Sequence, residues 1–377
     1  APTAKVAHQS PPKIEKRSNG TKSGYNGSWY ERSCRMKALV LVEPGDMPRL
    51  AMREVPEPEL GPRDALVRVL AVGLCHHDLL AARGILRRGI RKDAILGHEI
   101  CGDVVRVGNE VTRVEVGQRV VPLLTQACGQ CQRCAAGLEH RCLNGEGIGH
   151  GADGGFAEYV RVVETALVPV PEEIPPAQAC LLTCPIGVGL QAAQDVAQVA
   201  PGERVVVTGA SGGLGIHAIQ IAKTLGATAL AVTSSEGKMS SLLEMGADDV
   251  VPVGDLDFSE IVLALTQEQG VDVLLDTVGS PLFESSVKSL SQFGRMVLLG
   301  ETAGGRAEIN LAEIMFRDAK IMGSTGAQRR HVVQAAQMVT DGRVKPVVHA
   351  ELPLQDVLIG VGWMSERMLF GRVVLTP

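Results

Sequence analysis

Apolar residues follow two rhythms along this chain. From Met36 to about Val170, short Val- and Leu-rich runs alternate with Gly and Pro: MKALVLVEPG, DALVRVLAVGLC, CGDVVRVGNEV, GQRVVPL and FAEYVRVV. Runs so short and so punctuated predict the strands of a small, irregular β-barrel. HDLLAARG reads as a short helix between two of them. From about Ala177 the rhythm lengthens. AQACLLTCPIGVGLQAAQDVA reads as a buried helix. RVVVTGA, TALAVT, DDVVPV, VDVLLDTVG and RMVLLGE then read as strands, separated by the helical segments GIHAIQIAKTLG, MSSLLEMGA, FSEIVLALTQ and PLFESSVKSLS. Such β/α alternation predicts a parallel sheet covered on both faces, so the expected class is α/β. After Gly323, HVVQAAQMVTDGRV reads as a helix and GRVVLTP as a closing strand that returns to the first domain.

Residues 1–35 break both rhythms. They are polar and rich in Pro, Ser, Gly and Lys, with no signal-peptide apolar core, and a disordered extension is expected there. Met36 is expected to open the folded part. Asn19 and Asn26 head glycosylation sequons, which carry no meaning in a cytoplasmic protein.

Composition narrows the classes. The 377 residues allow two domains. Aromatic residues are 3% of the chain, too few for base-stacking platforms. A net charge of −5 argues against nucleic acid or anionic membrane as a partner. No apolar run reaches bilayer-spanning length. Thiolate ligands favour a reducing compartment, which places the protein in the cytoplasm.

Four of the nine cysteines, Cys128, Cys131, Cys134 and Cys142, stand at C-x2-C-x2-C-x7-C. Loops this short can wrap four sulfurs around one Zn²⁺ as a closed tetrahedron; a disulfide pair and an iron–sulfur cluster are the alternatives. A closed site leaves no open coordination position, so chemistry must lie elsewhere.

The strand RVVVTGA runs into Ala210, Ser211, Gly212, Gly213, Leu214 and Gly215, an A-x-G-x-x-G turn ahead of a helix. Glycines there let backbone approach a pyrophosphate, and the helix N-terminus offers oriented N–H groups. The next strand ends at Thr233, followed by Ser234, Ser235 and, a little further, Lys238. No carboxylate stands at that strand end to repel a 2′-phosphate, which favours NADP(H) over NAD(H). Glu236 keeps NAD(H) open.

GLCHHDLL, GHEICGDVVRVGNEV, VGQRVV, the four-cysteine lobe, GGFAEYV, the ASGGLG turn and GRVVLTP stand in a distinctive order. Over Met36–Pro377 the chain resembles the medium-chain zinc-dependent alcohol dehydrogenase family. The resemblance implies a GroES-like catalytic domain over 36–186, a Rossmann cofactor domain over 187–325 and a return segment over 326–377. It implies two Zn²⁺ per chain, a small-molecule substrate and a homodimer or homotetramer. Carried over residue by residue, it makes Cys75, His98 and Cys184 the ligands of a catalytic zinc, with Cys180 the competitor for the third place. Glu99 would lie near the metal, as a transient ligand or an outer neighbour. His76 would face the cofactor pyrophosphate, and Asp78 would orient neighbouring groups.

One departure stands out. The family commonly has Ser or Thr where this chain has His77. An imidazole can carry a proton itself, so His77 is either the replacement relay or a mark of different chemistry. The implied activity is NADP(H)-linked hydride transfer between nicotinamide and an alcohol, aldehyde or ketone. NADPH-dependent reduction of an enone or enoyl-thioester, of acryloyl-CoA type, is the alternative. The basic stretch Arg83–Lys92 would then hold a phosphorylated or CoA-bearing substrate or be a solvated loop. A non-catalytic NADPH- and zinc-binding protein is the reading from another class.

Overall fold

The strand Asp64–Leu74 is the spine of the first half. Its run DALVRVLAVGL is buried at most positions because neighbours pair along both edges. Glu99–Val107 lies antiparallel on one edge. The other edge is shared: Tyr159–Val163 pairs with residues 64–68, and the closing strand Arg372–Thr376 pairs with residues 72–74. Arg119–Pro122, Leu167–Pro169 and Val348–Pro353 extend this sheet to seven strands. A second sheet of three strands contains Arg35–Glu43, Arg49–Pro56 and Ala94–Ile95. The described residues are 34–85, 90–253 and 257–377 of a computed structural model. The expected extension therefore lies almost wholly outside them, as does the middle of the Arg83–Lys92 stretch.

The second half is a six-stranded sheet with every neighbouring pair parallel. Its spatial order is Asp249–Pro252, Thr228–Thr233, Arg204–Val207, Val271–Asp276, Leu290–Leu298, Lys320–Gly323. The strand order reverses between Arg204–Val207 and Val271–Asp276, where doubly wound folds open a ligand crevice. The apolar β/α alternation produces this layer. Val205, Val206, Val207, Val273, Leu274 and Leu275 have no exposed surface, as strands covered on both faces require.

The helical stretch from Pro176 to Val196 links the halves, and it is not a regular α-helix. Pro185 has no N–H to give Leu181, so Ile186 N–H reaches back to the Leu181 carbonyl instead, at 3.2 Å. The widened turn this makes holds Cys184. Among the described residues no helix is long and apolar enough to cross a membrane.

Candidate active site

Three segments distant in sequence converge beside the strand Asp64–Leu74. Cys75 follows that strand directly and caps the short helix His76–Ala82. His98 precedes the strand Glu99–Val107. Cys184 comes from the widened turn. Ligating atoms of Cys75, His98, Glu99 and Cys184 all lie within 4.8 Å of one another. Cys180, the competitor, is absent from that group: its thiol is buried and donates to the Ala177 carbonyl at 3.3 Å.

Asp78 organises the group. One carboxylate oxygen accepts from Cys75 N–H at 2.9 Å. The other lies 3.1 Å from His98 Nδ1 and 3.3 Å from Gly97 N–H. A bond at Nδ1 leaves Nε2 as the free nitrogen, the arrangement metal-ligating histidines need. Asp78 is itself 2% exposed, so its charge is little screened. The Cys184 thiol, with help from Arg372 and His98, holds Cys75 well below the ordinary thiol range. The same contact, with burial, pushes Cys184 well up. The thiolate thus concentrates on Cys75. Burial works against a charged His98, but Asp78 and Cys75 outweigh it and raise its pKa.

Glu99 has no exposed surface, and burial lifts its carboxyl to about 7 against the pull of Arg372. Arg372 Nη2 lies 2.9 Å from Glu99 Oε1, although neither carboxylate oxygen has a partner of full hydrogen-bond geometry. Gly73 makes room for this carboxylate: a Cβ there would stand 2.1 Å from Glu99 Oε2. Sequence reasoning missed Arg372. The one available signal was a charged residue opening an otherwise apolar closing strand.

His77 packs edge-on against His98 on one side and His150 on the other, with ring centroids 5.3 Å apart in each case. Burial first, then the neighbouring His98, lowers its pKa. His76 turns away and places Nε2 2.9 Å from the carbonyl of Thr302, which follows the fifth parallel strand.

The turn at the sheet crevice is tightly packed. Gly209 takes a left-handed φ of +59°, and a Cβ on Gly215 would meet the Gly209 carbonyl at 2.3 Å. Gly213 N-terminates the helix Gly213–Thr224, and a Cβ there would strike the Arg372 guanidinium at 2.5 Å. Ser211 accepts from Gly371 N–H through its carbonyl, so the turn that carries Ala210, Ser211 and Gly212 is tied to the closing segment. Leu214 is half-buried on the helix that follows. Arg372 therefore stands between the turn Ala210–Gly215 and the cysteine–histidine group. At the end of the next strand Thr233 is buried, its Oγ1 accepting from Ser235 N–H at 3.3 Å, while Ser234 is exposed. Lys238 is more committed than expected. It donates to the carbonyls of Arg367 and Leu369 at 2.5 and 2.7 Å, and burial lowers its pKa.

The second sulfur group lies in the loop after residue 127. Cys131 Sγ is 3.5 Å from Cys134 Sγ and 3.8 Å from Cys142 Sγ, and Cys142 is 3.4 Å from Cys128. These separations are far longer than a disulfide bond. They match the roughly 3.8 Å edge of a tetrahedron with ~2.3 Å metal–sulfur bonds. The donor sets thus differ in kind, one closed in four sulfurs and one of mixed sulfur, nitrogen and oxygen.

Comparison with known proteins agrees with this architecture. Residues 61–172 match the alcohol dehydrogenase GroES-like domain, and residues 213–341 match the zinc-binding dehydrogenase domain. An acryloyl-coenzyme A reductase of Sulfurisphaera tokodaii is 35% identical over 91% of this chain and 100% of its own length. The crystal structure of an NAD-dependent alcohol dehydrogenase superposes with a TM-score of 0.85 at 32% identity, covering 91% of this chain and 100% of that one. A zinc-binding dehydrogenase from Sinorhizobium meliloti 1021, solved bound to NADP, gives 0.79 at 28% identity, covering 91% and 99%. The chain belongs to the medium-chain zinc-dependent alcohol dehydrogenase family, within the medium-chain dehydrogenase/reductase superfamily, and is an NAD(P)-linked oxidoreductase with a GroES-like catalytic domain and a Rossmann domain.

Proposed function

We propose that this protein transfers hydride between NADP(H) and the oxygen-bearing carbon of a small alcohol or of the corresponding aldehyde or ketone, with one Zn²⁺ at Cys75, His98 and Cys184 and another at Cys128, Cys131, Cys134 and Cys142. The observation that carries this reading is the convergence of two thiols and one imidazole, the latter fixed by Asp78, beside a dinucleotide crevice. Two sulfurs, one nitrogen and a place for a fourth ligand suit a catalytic zinc site. Zinc there supplies Lewis acidity toward a substrate oxygen. The nicotinamide supplies or accepts the hydride.

The chain's own residues do the rest. Asp78 holds the His98 ring and the Cys75 backbone in place. Arg372 balances the charge of Glu99 and faces the turn that receives the pyrophosphate. His77, whose ring packs against that of His98, would hand on the proton of the substrate oxygen. His76 fastens the helix His76–Ala82 to the Rossmann side through the Thr302 carbonyl. NADP(H) is preferred because Thr233, Ser234 and Ser235 put hydroxyls, and no carboxylate, at the end of the second parallel strand.

A specific observation also favours reduction of an activated C=C bond. His77 stands where a family alcohol dehydrogenase has a hydroxyl, and an acryloyl-coenzyme A reductase is a 35% identical relative. The deciding experiment is one panel of alcohols, aldehydes and enoyl-CoAs assayed with NADPH and with NADH. The main reading expects alcohol–aldehyde interconversion with NADP(H). Turnover confined to enoyl-CoAs selects the second reading. Absence of turnover across the panel rejects both.

A further inference from the structure

Glu301, which follows the strand Leu290–Leu298, has no role in the account above, yet its carboxylate gathers the loops at the ends of two neighbouring strands. Oε2 accepts from Ser280 N–H at 2.8 Å, and Oε1 accepts from the Ser280 hydroxyl at 2.9 Å. Ser280 comes after the strand Val271–Asp276. Oε1 also accepts from Ala303 N–H and from Gly304 N–H, each at 2.9 Å. Gly279, with a left-handed φ of +87°, clears the space, since a Cβ there would stand 2.6 Å from Glu301 Oε2. Burial works against the charge, but the Ser280, Ala303 and Gly305 donors outweigh it and hold the carboxyl below its ordinary range.

The Ala303 bond acts beyond its own loop. Ala303 N–H and the Thr302 carbonyl belong to one planar peptide unit, and in a trans peptide the two groups point in opposite directions. With the N–H turned onto Glu301, the carbonyl is turned away from it, and there it meets His76 Nε2 at 2.9 Å. A carbonyl only accepts, so Nε2 is the protonated ring nitrogen. The other side of Thr302 is fixed as well: its N–H and its hydroxyl both donate to the Val278 carbonyl, at 2.9 and 3.1 Å. His76 opens the helix His76–Ala82, and Cys75 caps it. A hydrogen bond, a rigid peptide plane and a second hydrogen bond thus connect the Glu301 carboxylate to the residue beside Cys75. Gly304 meets the same segment beyond its far end, where a Cβ on it would lie 3.3 Å from Ile85 Cγ2.

We propose that Glu301 is a positioning residue for the hydride transfer: by aiming the Thr302 carbonyl at His76 it sets the place of Cys75 relative to the dinucleotide crevice. This rests on the function proposed above, in which hydride passes between those two places. Such a step needs donor and acceptor in close contact, and a misplacement of ~1 Å caused far from the chemistry costs up to ~100-fold in rate. A carboxylate suits the task because the donors of Ser280, Ala303 and Gly304 all converge on its two oxygens. An amide has one accepting oxygen and would set its NH₂ against N–H groups.

The test uses the full chain loaded with zinc and NADPH, its histidines labelled with nitrogen-15 for magnetic resonance. An imidazole N–H held by a carbonyl exchanges slowly with water, and that of His76 is identified by its loss in His76→Gln. The wild type is expected to show this resonance. Glu301→Ala should abolish it or speed its exchange at least about tenfold, the scale of one hydrogen bond. Glu301→Gln, a milder change that keeps the test readable should the alanine variant not fold, should move it the same way by less. Kinetics with the best substrate of the panel give a second readout. Glu301→Ala and His76→Phe should each lower kcat about tenfold, and the double variant should fall no further, because both cut the same connection. A resonance absent from the wild type, or unchanged in the Glu301 variants, overturns the proposal. So do losses of kcat that multiply to about a hundredfold in the double variant. If the resonance behaves as expected while nothing in the panel is turned over, the proposed reaction fails and the tie between Glu301 and His76 stands.

Discussion

Arg372 and Glu99 form a buried ion pair, with Nη2 2.9 Å from Oε1 and side chains 8% and 0% exposed. The pair joins the closing strand to the strand that follows His98. It also sets the guanidinium against Gly213, at the start of the helix Gly213–Thr224. Desolvating two charges is costly, so such a pair contributes little net stability but is damaging to break. Arg372→Met should lower unfolding stability by up to about 3 kcal/mol, because Glu99 loses the cation that draws its carboxyl down and must take up a proton. The double variant with Glu99→Gln should recover part of that loss. Urea unfolding of the three proteins checks this, and equal instability of the single and double variants would contradict it.

Metal content separates the two sulfur groups. The wild-type protein should hold two zinc ions per chain, and Cys184→Ala and Cys131→Ser should each hold one. The first should lose turnover with little change in melting temperature. The second should lose melting temperature, because the loop it staples has few other anchors. Elemental analysis with thermal unfolding reads both.

The proposed preference for NADP(H) depends on the strand ending at Thr233. Ser234 is exposed there, and a carboxylate at that place would repel a 2′-phosphate. Ser234→Asp should reduce kcat/KM for NADPH at least about tenfold relative to NADH, a shift of roughly 1.4 kcal/mol. Equal use of both cofactors by the wild type, or no shift in the variant, goes against the preference.

His217 gives stability a pH dependence. It has no exposed surface and is held by two backbone groups: Nδ1 bonds the Gly213 carbonyl, and Nε2 accepts from Val347 N–H at 3.0 Å. A second ring proton would point at Val347 N–H. Burial accordingly lowers its pKa from 6.5 to about 4. The folded protein thus binds fewer protons than the unfolded chain between those values. The stabilisation is whole above pH 6.5 and drains away as pH falls toward 4. The full effect is roughly 3 kcal/mol. His217→Gln, whose amide can make both bonds without titrating, should lose less stability between pH 7 and pH 4.5. Parallel pH curves for the two proteins would refute this.

Local pattern made much of this molecule readable. The four-cysteine loop closes within fifteen residues, so spacing alone implied its geometry. Alternating strands and helices over residues 204–298 carry their own apolar period and appear where expected. The exposed edge strand Arg49–Pro56 has no buried face to mark it, and it was not foreseen. Nor was the helix Val357–Ser365, apolar but interrupted by two glycines. At the site, Cys75 and His98 were legible because each sits in a compact motif. Arg372 and His150 were not. Their place at the site arises only when the closing strand pairs with residues 72–74 and when the turn after Gly147 folds against His77. Lys238 was legible as a cation, but its carbonyl partners 129 and 131 residues away were not.

Cys75, His98 and Cys184 are proposed to hold one ion, and every role assigned to the site depends on it. Anomalous diffraction across the zinc absorption edge, from crystals of the protein purified with zinc, tests it directly. The expected map has two peaks per chain, one enclosed by the four cysteines and one bounded by Cys75 Sγ, His98 Nε2 and Cys184 Sγ. A map with zinc only in the four-cysteine loop would contradict the account.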